Sequence, residues 1–164
     1  MGQRGEMNDF KQNWNFSEKY MPQIKQILAK HAGKFLQIEV ATMEEDMTQA
    51  FDLNIVTHNK SRIAVRIRRA DIKFRDITIR ALNNGHKTEI HKLRDGYGDW
   101  YLYAWESEGN RITEYALIDI HKARHLFTQD RNVIPNTDKR TGFYSYSIEE
   151  LAKCGALIAY ETKQ

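Results

Sequence analysis

What this chain has little of narrows the field first. It carries a single cysteine, Cys154, so an intramolecular disulfide and a cysteine-rich zinc site are both excluded. That cysteine stands in an apolar helical context, Leu151-Ala-Lys-Cys-Gly-Ala-Leu-Ile158, where a buried, inert thiol is expected rather than a nucleophile. No run approaches the ~18 apolar residues of a membrane-spanning helix. The opening Met1-Gly-Gln-Arg-Gly-Glu-Met7 has no apolar signal core, so a cytoplasmic protein that meets no membrane is expected. Gly2 is not followed by Ser or Thr where N-myristoylation requires one. Internal repeats, low-complexity tracts and interdomain linkers are absent as well.

The charge is unevenly spread. Hydrophobic residues make up 41% and charged residues 29% of 164 residues, with a net charge of only +3. Between residues 58 and 95, however, eleven Lys and Arg face four acids, a local charge of +7 that leaves −4 on the rest. Such an asymmetry favours a polyanionic partner; the bland alternative is a solvated basic face. The length suits one domain with one substantial core. Residues 1–16 read as a polar, poorly ordered arm from which Trp14 and Phe16 dock, and residues 17–164 as a single α/β domain.

Periodicity and stop signals give an element order. A helix is predicted from about Pro22 to His31, with Pro at its first position, Ile24, Ile27 and Leu28 as its stripe and Gly33 as its stop. Phe35–Val40 reads as a strand, and Thr42-Met-Glu-Glu45 as the capping box of a short helix reaching about Gln49. Three strands come next, Asp52–Thr57, Arg62–Arg69 and about Phe74–Leu82, the first two joined by the turn His58-Asn-Lys-Ser61. After Asn83-Asn-Gly85 comes a helix over about Thr88–Arg94, closed by Asp95-Gly96. Trp100-Tyr-Leu-Tyr-Ala-Trp105 is apolar on both faces and reads as a strand in the middle of a sheet. Ser107-Glu-Gly-Asn110 turns it into Ile112–Ile120, and a helix over about His121–Phe127 succeeds it, with Asp119 as N-cap. Residues 128–141 form the longest loop; Ser147-Ile-Glu-Glu150 caps a helix ending near Gly155, and Ala156–Tyr160 is a final strand. The class is mixed α/β (α+β), a central mixed sheet flanked by helices.

The stretch Arg62-Ile-Ala-Val-Arg-Ile-Arg-Arg69 carries the most information. As a strand it sends Ile63, Val65 and Ile67 to one face and Arg62, Arg66 and Arg68 to the other. A row of guanidiniums is costly to desolvate, so it is expected to meet water or an anion. Phosphate suits arginine's planar fork. If the three central strands are neighbours, Asp52, Asn54, Asp76, Thr78 and Arg80 join that polar face. The structural alternative is an ion-paired face in which acids balance the arginines.

Over about residues 40–106 the order of a helix, an acid opening a strand, a hairpin to a second strand, a helix and a further strand resembles the core of the PD-(D/E)XK, or restriction-endonuclease-like, nucleases. In that superfamily an Asp and a following Asp/Glu-x-Lys bind a divalent metal, and the Lys helps orient the attacking water. The resemblance implies Asp52 as principal metal ligand. The hairpin position of the second motif reads Val65-Arg-Ile-Arg68, without an acid, while a literal Asp71-Ile-Lys73 opens the next strand. Glu89-Ile-His-Lys92 offers a migrated carboxylate and a lysine one turn apart, and Glu44 or Glu45 the helical acid. The activity implied by the resemblance is that of a DNA endonuclease using Mg²⁺ or Mn²⁺, with Asp71 or Glu89 as second ligand. Lys73 or Lys92 would orient the water, and Arg62, Arg66, Arg68 and Arg80 would contact the nucleic acid. Arginines in place of the usual acid repel a cation, so a degenerate relative that grips DNA without cutting it stays open. So does a different class, a non-catalytic phage or mobile-element protein that binds and inhibits a host nucleoprotein complex. DNA against RNA, homodimerisation and any host protein partner are left undecided.

Other patterns are expected to be structural. His121 and His125 are a helical i,i+4 pair without a third ligand. Tyr97, Trp100, Tyr101, Tyr103 and Trp105 look like a stacking platform but lie on a doubly apolar strand, where core is expected. Asp95-Gly-Tyr-Gly-Asp99 lacks the Lys-Ser/Thr of a phosphate loop and reads as a turn.

Overall fold

The computed structural model describes residues 16, 18–32, 37–49, 53–56 and 60–162. Trp14, Asp52 and the expected turn at His58–Asn59 lie outside them, as does all of the N-terminal arm except Phe16. Among the described residues, five helices and nine strands run in the order α1 (Met21–Ala32), β1 (Gln37–Val40), α2 (Met43–Gln49), β2 (Leu53–Val56), β3 (Lys60–Arg68), β4 (Ile77–Asn83), α3 (Glu89–Arg94), β5 (Trp100–Ser107), β6 (Arg111–Asp119), α4 (Ile120–Thr128), β7 (Ile134–Pro135), β8 (Thr141–Tyr146), α5 (Ile148–Lys153) and β9 (Leu157–Thr162). The mixed α+β class is as expected. So are the capping residues: Thr42 and Glu45 exchange hydrogen bonds, and Asp119 accepts from Lys122 N–H at 3.1 Å. Ser147 Oγ accepts from Glu150 N–H at 3.0 Å.

The main sheet has six strands in the order β1-β2-β3-β5-β6-β9. Only β3 and β5 run parallel, joined by a crossover that contains β4 and α3. β5 is central, and its residues Tyr101 to Trp105 are each 1% exposed or less. The doubly apolar run is therefore core, not a stacking platform. Its rings meet each other, Tyr103 and Trp105 at 5.0 Å between centroids.

Two cores flank this sheet. Tyr20, Ile24, Ile27 and Leu28, recurring at helical spacing along α1 and its leading residue, cover Leu53, Ile63, Ile67, Leu102, Tyr115 and Leu117. Gln23 ties that helix to the β5–β6 turn, donating to the Asn110 carbonyl and accepting from Ile112 N–H, both at 2.9 Å. Phe16 meets Tyr20 at 5.4 Å between ring centroids, tilted by 59°, the docking expected of it. On the other face Ala64, Tyr101, Tyr103, Trp105, Ala116 and Ile118 meet the apolar sides of β4, α3, α4, β8 and α5.

The condition for Asp76, Thr78 and Arg80 to join the arginine face is not met, since β4 does not neighbour β3; it belongs to a second, three-stranded sheet in the order β4-β8-β7. The reason is a partner far away in sequence, since Thr141–Tyr146 is a strand that pairs Ile77 with Tyr146 and Ile79 with Tyr144. The outer edge of β4 is set against the arginine face of the main sheet. There Thr78 N–H donates to Tyr103 Oη at 3.3 Å, and the two hydroxyls lie 2.7 Å apart. An edge N–H shut away from water needs such a partner. Glu114, buried on β6, pairs with Arg75 of the β3–β4 loop and accepts the Tyr160 hydroxyl of edge strand β9. Burial, and then the Glu114 carboxylate, push that phenol up to about 12.

Tyr103→Phe leaves the Thr78 N–H and hydroxyl without their buried partner while keeping the ring. It is expected to cost about 1–2 kcal/mol, read as a lower urea midpoint with an unchanged m-value.

Candidate nucleic-acid interface

The parity of β3 holds. Ala64, Arg66 and Arg68 register beside Tyr101, Tyr103 and Trp105 of β5 on one face, and Arg62, which shares that face by parity, lies opposite Asn54 of β2. That face is covered rather than wet, because β4 and α3 lie over it. Arginines there need a counter-charge, and two of them find acids within the chain.

Arg66 Nη2 donates to Glu89 Oε2 at 2.9 Å, with side chains 26% and 18% exposed. Glu89 opens α3, whose N-cap Thr88 receives His91 as its reciprocal partner. The same Oε2 accepts Arg80 N–H from the edge of β4 at 3.2 Å, and Oε1 accepts the Tyr101 hydroxyl at 2.6 Å. Burial, and then the Glu89 carboxylate, push the Tyr101 phenol well above its ordinary range, so it stays a donor. One carboxylate thereby binds β3, β4 and β5 together. A half-buried charge is tolerated only with such company.

Arg62 meets Asp99, the residue before β5. Its backbone N–H donates to Oδ2 at 2.7 Å and its Nε lies 3.5 Å from the same oxygen. Burial alone would raise the Asp99 carboxyl, but the Arg62 N–H, His121 and the Arg62 guanidinium outweigh it and hold the group below its ordinary 3.8.

Arg68 and Arg80 differ from these two. Arg68 sits two residues beyond Arg66 on the same face, ~7 Å along the strand. Arg80 is exposed, and its backbone N–H donates to the carboxylate that Arg66 grips. Neither guanidinium has an acidic partner among the described residues. Exposed Arg69 and Lys73 continue the positive charge past the end of β3, with Arg69 over the Phe16 ring at 5.4 Å. Arg68, Arg69, Lys73 and Arg80, none with an acidic partner among the described residues, leave a local excess of positive charge, which is a place for phosphate.

The residues assigned from the nuclease resemblance are only partly gathered. Asp52, the expected principal ligand, lies outside the described residues. Glu89 and Lys92 share α3, and Lys92 Nζ donates to the Met47 carbonyl of α2 at 2.8 Å. Asp71 and Lys73 are exposed in the β3–β4 loop. That loop crosses the far end of β5, where Trp105 Nε1 donates to the Phe74 carbonyl at 2.8 Å. Trp105 is four residues from Tyr101, ~13 Å along the strand. A single Mg²⁺ needs its oxygens at about 2.1 Å, and Asp71 and Glu89 are not drawn to one such point. No group of three His, Cys, Asp or Glu converges among the described residues.

Other expectations turn out as structural. Gly96 and Tyr97 N–H donate to the Leu93 and Lys92 carbonyls, and Gly96 has φ +92°. The glycine-rich turn thus ends α3, with the Gly96 and Tyr97 N–H groups occupied. His125 Nδ1 lies 2.9 Å from the Lys122 carbonyl, whereas His121 faces Asp99. Cys154 is half-buried rather than buried, its thiol 3.2 Å from the Leu151 carbonyl. Sequence reasoning missed Asp99 and the Tyr101 hydroxyl as partners. The available signal was an acid just before an apolar strand and a phenol whose polar tip had to end somewhere. No helix among the described residues is long and apolar enough to cross a membrane. No protein-family model matches the chain, and no curated protein matches it.

The lowered Asp99 carboxyl makes a pH prediction. Its stabilising contribution is complete above the unfolded value near 3.8 and is lost as pH falls through the lower folded value. Asp99→Asn is therefore expected to lower stability at neutral pH, with the gap to wild type closing below that range. Thermal melts of both proteins across acid pH read this directly.

Proposed function

We propose that the chain is a nucleic-acid-binding protein that holds a phosphate backbone on the basic surface where β3, β4 and α3 meet. The observation that carries this reading is the division of the arginines. Arg66 is anchored by Glu89, while Arg68 and Arg80 on either side of that pair have no acidic partner among the described residues. Anchoring costs Arg66 its side-chain freedom in advance and leaves its neighbours to meet the ligand. Glu89 is engaged on both oxygens by donors, which favours gripping over cutting. The resemblance to PD-(D/E)XK nucleases then describes a degenerate relative.

Binding of a labelled DNA duplex should fall steeply with salt. Arg68→Ala and Arg80→Ala are each expected to weaken it and to lower the log–log salt slope by about one. Affinity insensitive to salt, or unchanged in both variants, overturns the reading and moves attention to a protein partner.

A second reading is a metal-dependent deoxyribonuclease. It is favoured by the placing of Glu89 and Lys92 one turn apart on α3, with Lys92 reaching α2, since Asp52 falls in the connection from α2 to β2. Asp52 and Glu89 would hold Mg²⁺ or Mn²⁺, which supplies charge stabilisation at phosphorus and a more acidic water. On this reading a plasmid is nicked with either metal, spared with EDTA, and spared by Asp52→Ala. Cleavage that survives in the variant removes Asp52 from any such role.

A further inference from the structure

We propose that Arg62, His121 and Arg124, gathered round the Gly96 turn by Asp99, form a second anion site that takes a phosphate group. It lies at the opening end of β3 and β5, apart from Arg68 and Arg80, and goes beyond the nucleic-acid reading.

The residues come from three parts of the chain. Asp99 Oδ1 faces His121 Nε2 at 3.0 Å, while its Oδ2 takes the Arg62 backbone N–H and faces Arg62 Nε. With Nε2–H donating to Asp99, the other ring nitrogen, Nδ1, points to Arg124 Nη2 at 3.4 Å. That separation is at the outer limit of a hydrogen bond, so little is lost when a ligand oxygen enters. Arg62 Nη2 reaches the Gly96 carbonyl at 3.5 Å, and Arg124 Nη2 lies 3.8 Å from where a Gly96 side chain would begin. Both guanidiniums therefore converge on one turn. His121, 57% exposed, leaves the group open to solvent.

Charge decides what would bind. Asp99 is offset by Arg62, with which it pairs. Arg124 is half-buried and has no carboxylate within 4 Å among the described residues, and its Nε is cut off from solvent without an acceptor. A cation moved partly out of water without an anion is costly. The cluster keeps an excess positive charge even with His121 neutral, and a second when it is protonated. Arg124 Nη2 and protonated His121 Nδ1 offer adjacent donors of the kind that hold a phosphate through charge-assisted hydrogen bonds. Asp99 is a positioning residue, since it fixes the ring and does not face the ligand.

The test is proton NMR of the histidine ring signals during titration with inorganic phosphate, at fixed pH and ionic strength, with His121→Gln assigning the His121 resonance. A saturable shift of that resonance is expected. Arg124→Ala should weaken binding at least about tenfold, as loss of one charge-assisted hydrogen bond implies, and Arg124→Lys should recover part of it. Arg68→Ala and Arg80→Ala should leave the shift unchanged, which separates this site from the basic surface of the nucleic-acid reading. Displacement of phosphate by a 5′-phosphorylated oligonucleotide alone identifies a terminal phosphate. Displacement also by its unphosphorylated twin identifies the backbone diester, and by neither a free small phosphate. No saturable shift, or wild-type affinity in folded Arg124→Ala, overturns the proposal.

Discussion

The Glu89 carboxylate is the point at which the two sheets and the crossover helix are joined. Its oxygens take Arg66 of β3, Tyr101 of β5 and the Arg80 N–H of β4. Without an acid at that position Arg66 would lose the carboxylate it faces on the covered side of β3. The β4 edge would present an N–H with no partner. Apolar packing alone could bring the layers together, but it is non-directional. The carboxylate sets where β4 stops sliding over β3.

The same logic recurs at two smaller contacts. Tyr103 meets the Thr78 N–H two residues along the β4 edge, and Glu114 ties β6 to both the β3–β4 loop and β9. At Tyr103 a polar tip from the buried sheet satisfies an N–H that the second layer removes from water, and at Glu114 two donors answer a carboxylate that the sheet itself buries. The two layers thus depend on a few hydrogen bonds inside a large apolar contact, where an unmet donor costs more than a made bond gains.

This arrangement also sorts the basic residues by role. Of the arginines on β3, Arg62 and Arg66 are held by Asp99 and Glu89, and Arg68 is not held by an acid among the described residues. Most of the local charge excess therefore lies at Arg68, Arg69, Lys73 and Arg80, at the end of β3, in the β3–β4 loop and on β4. A basic segment is a weak functional signal while its charges are internally paired. It gains meaning from those that are left over, and Arg124 is one more of that kind on another part of the surface.

Local chemistry was enough to read α1, the capped helices, the buried β5 and the split of β3 into an apolar and an arginine face. Period, caps and turn residues act over a few positions, so they are written in the chain. Sequence also indicated Glu89 with Lys92, since an acid and a lysine one turn apart share a helix face. It did not show that β4 leaves the main sheet, because its partner β8 lies some sixty residues on and Thr-Gly-Phe-Tyr-Ser-Tyr is an undistinguished strand until something pairs with it. Nor did it show which acid answers which arginine. Asp99 and Glu89 are 37 and 23 residues from their partners, and only the parallel crossover, in laying α3 and the start of β5 against β3, brings those charges within reach of one another.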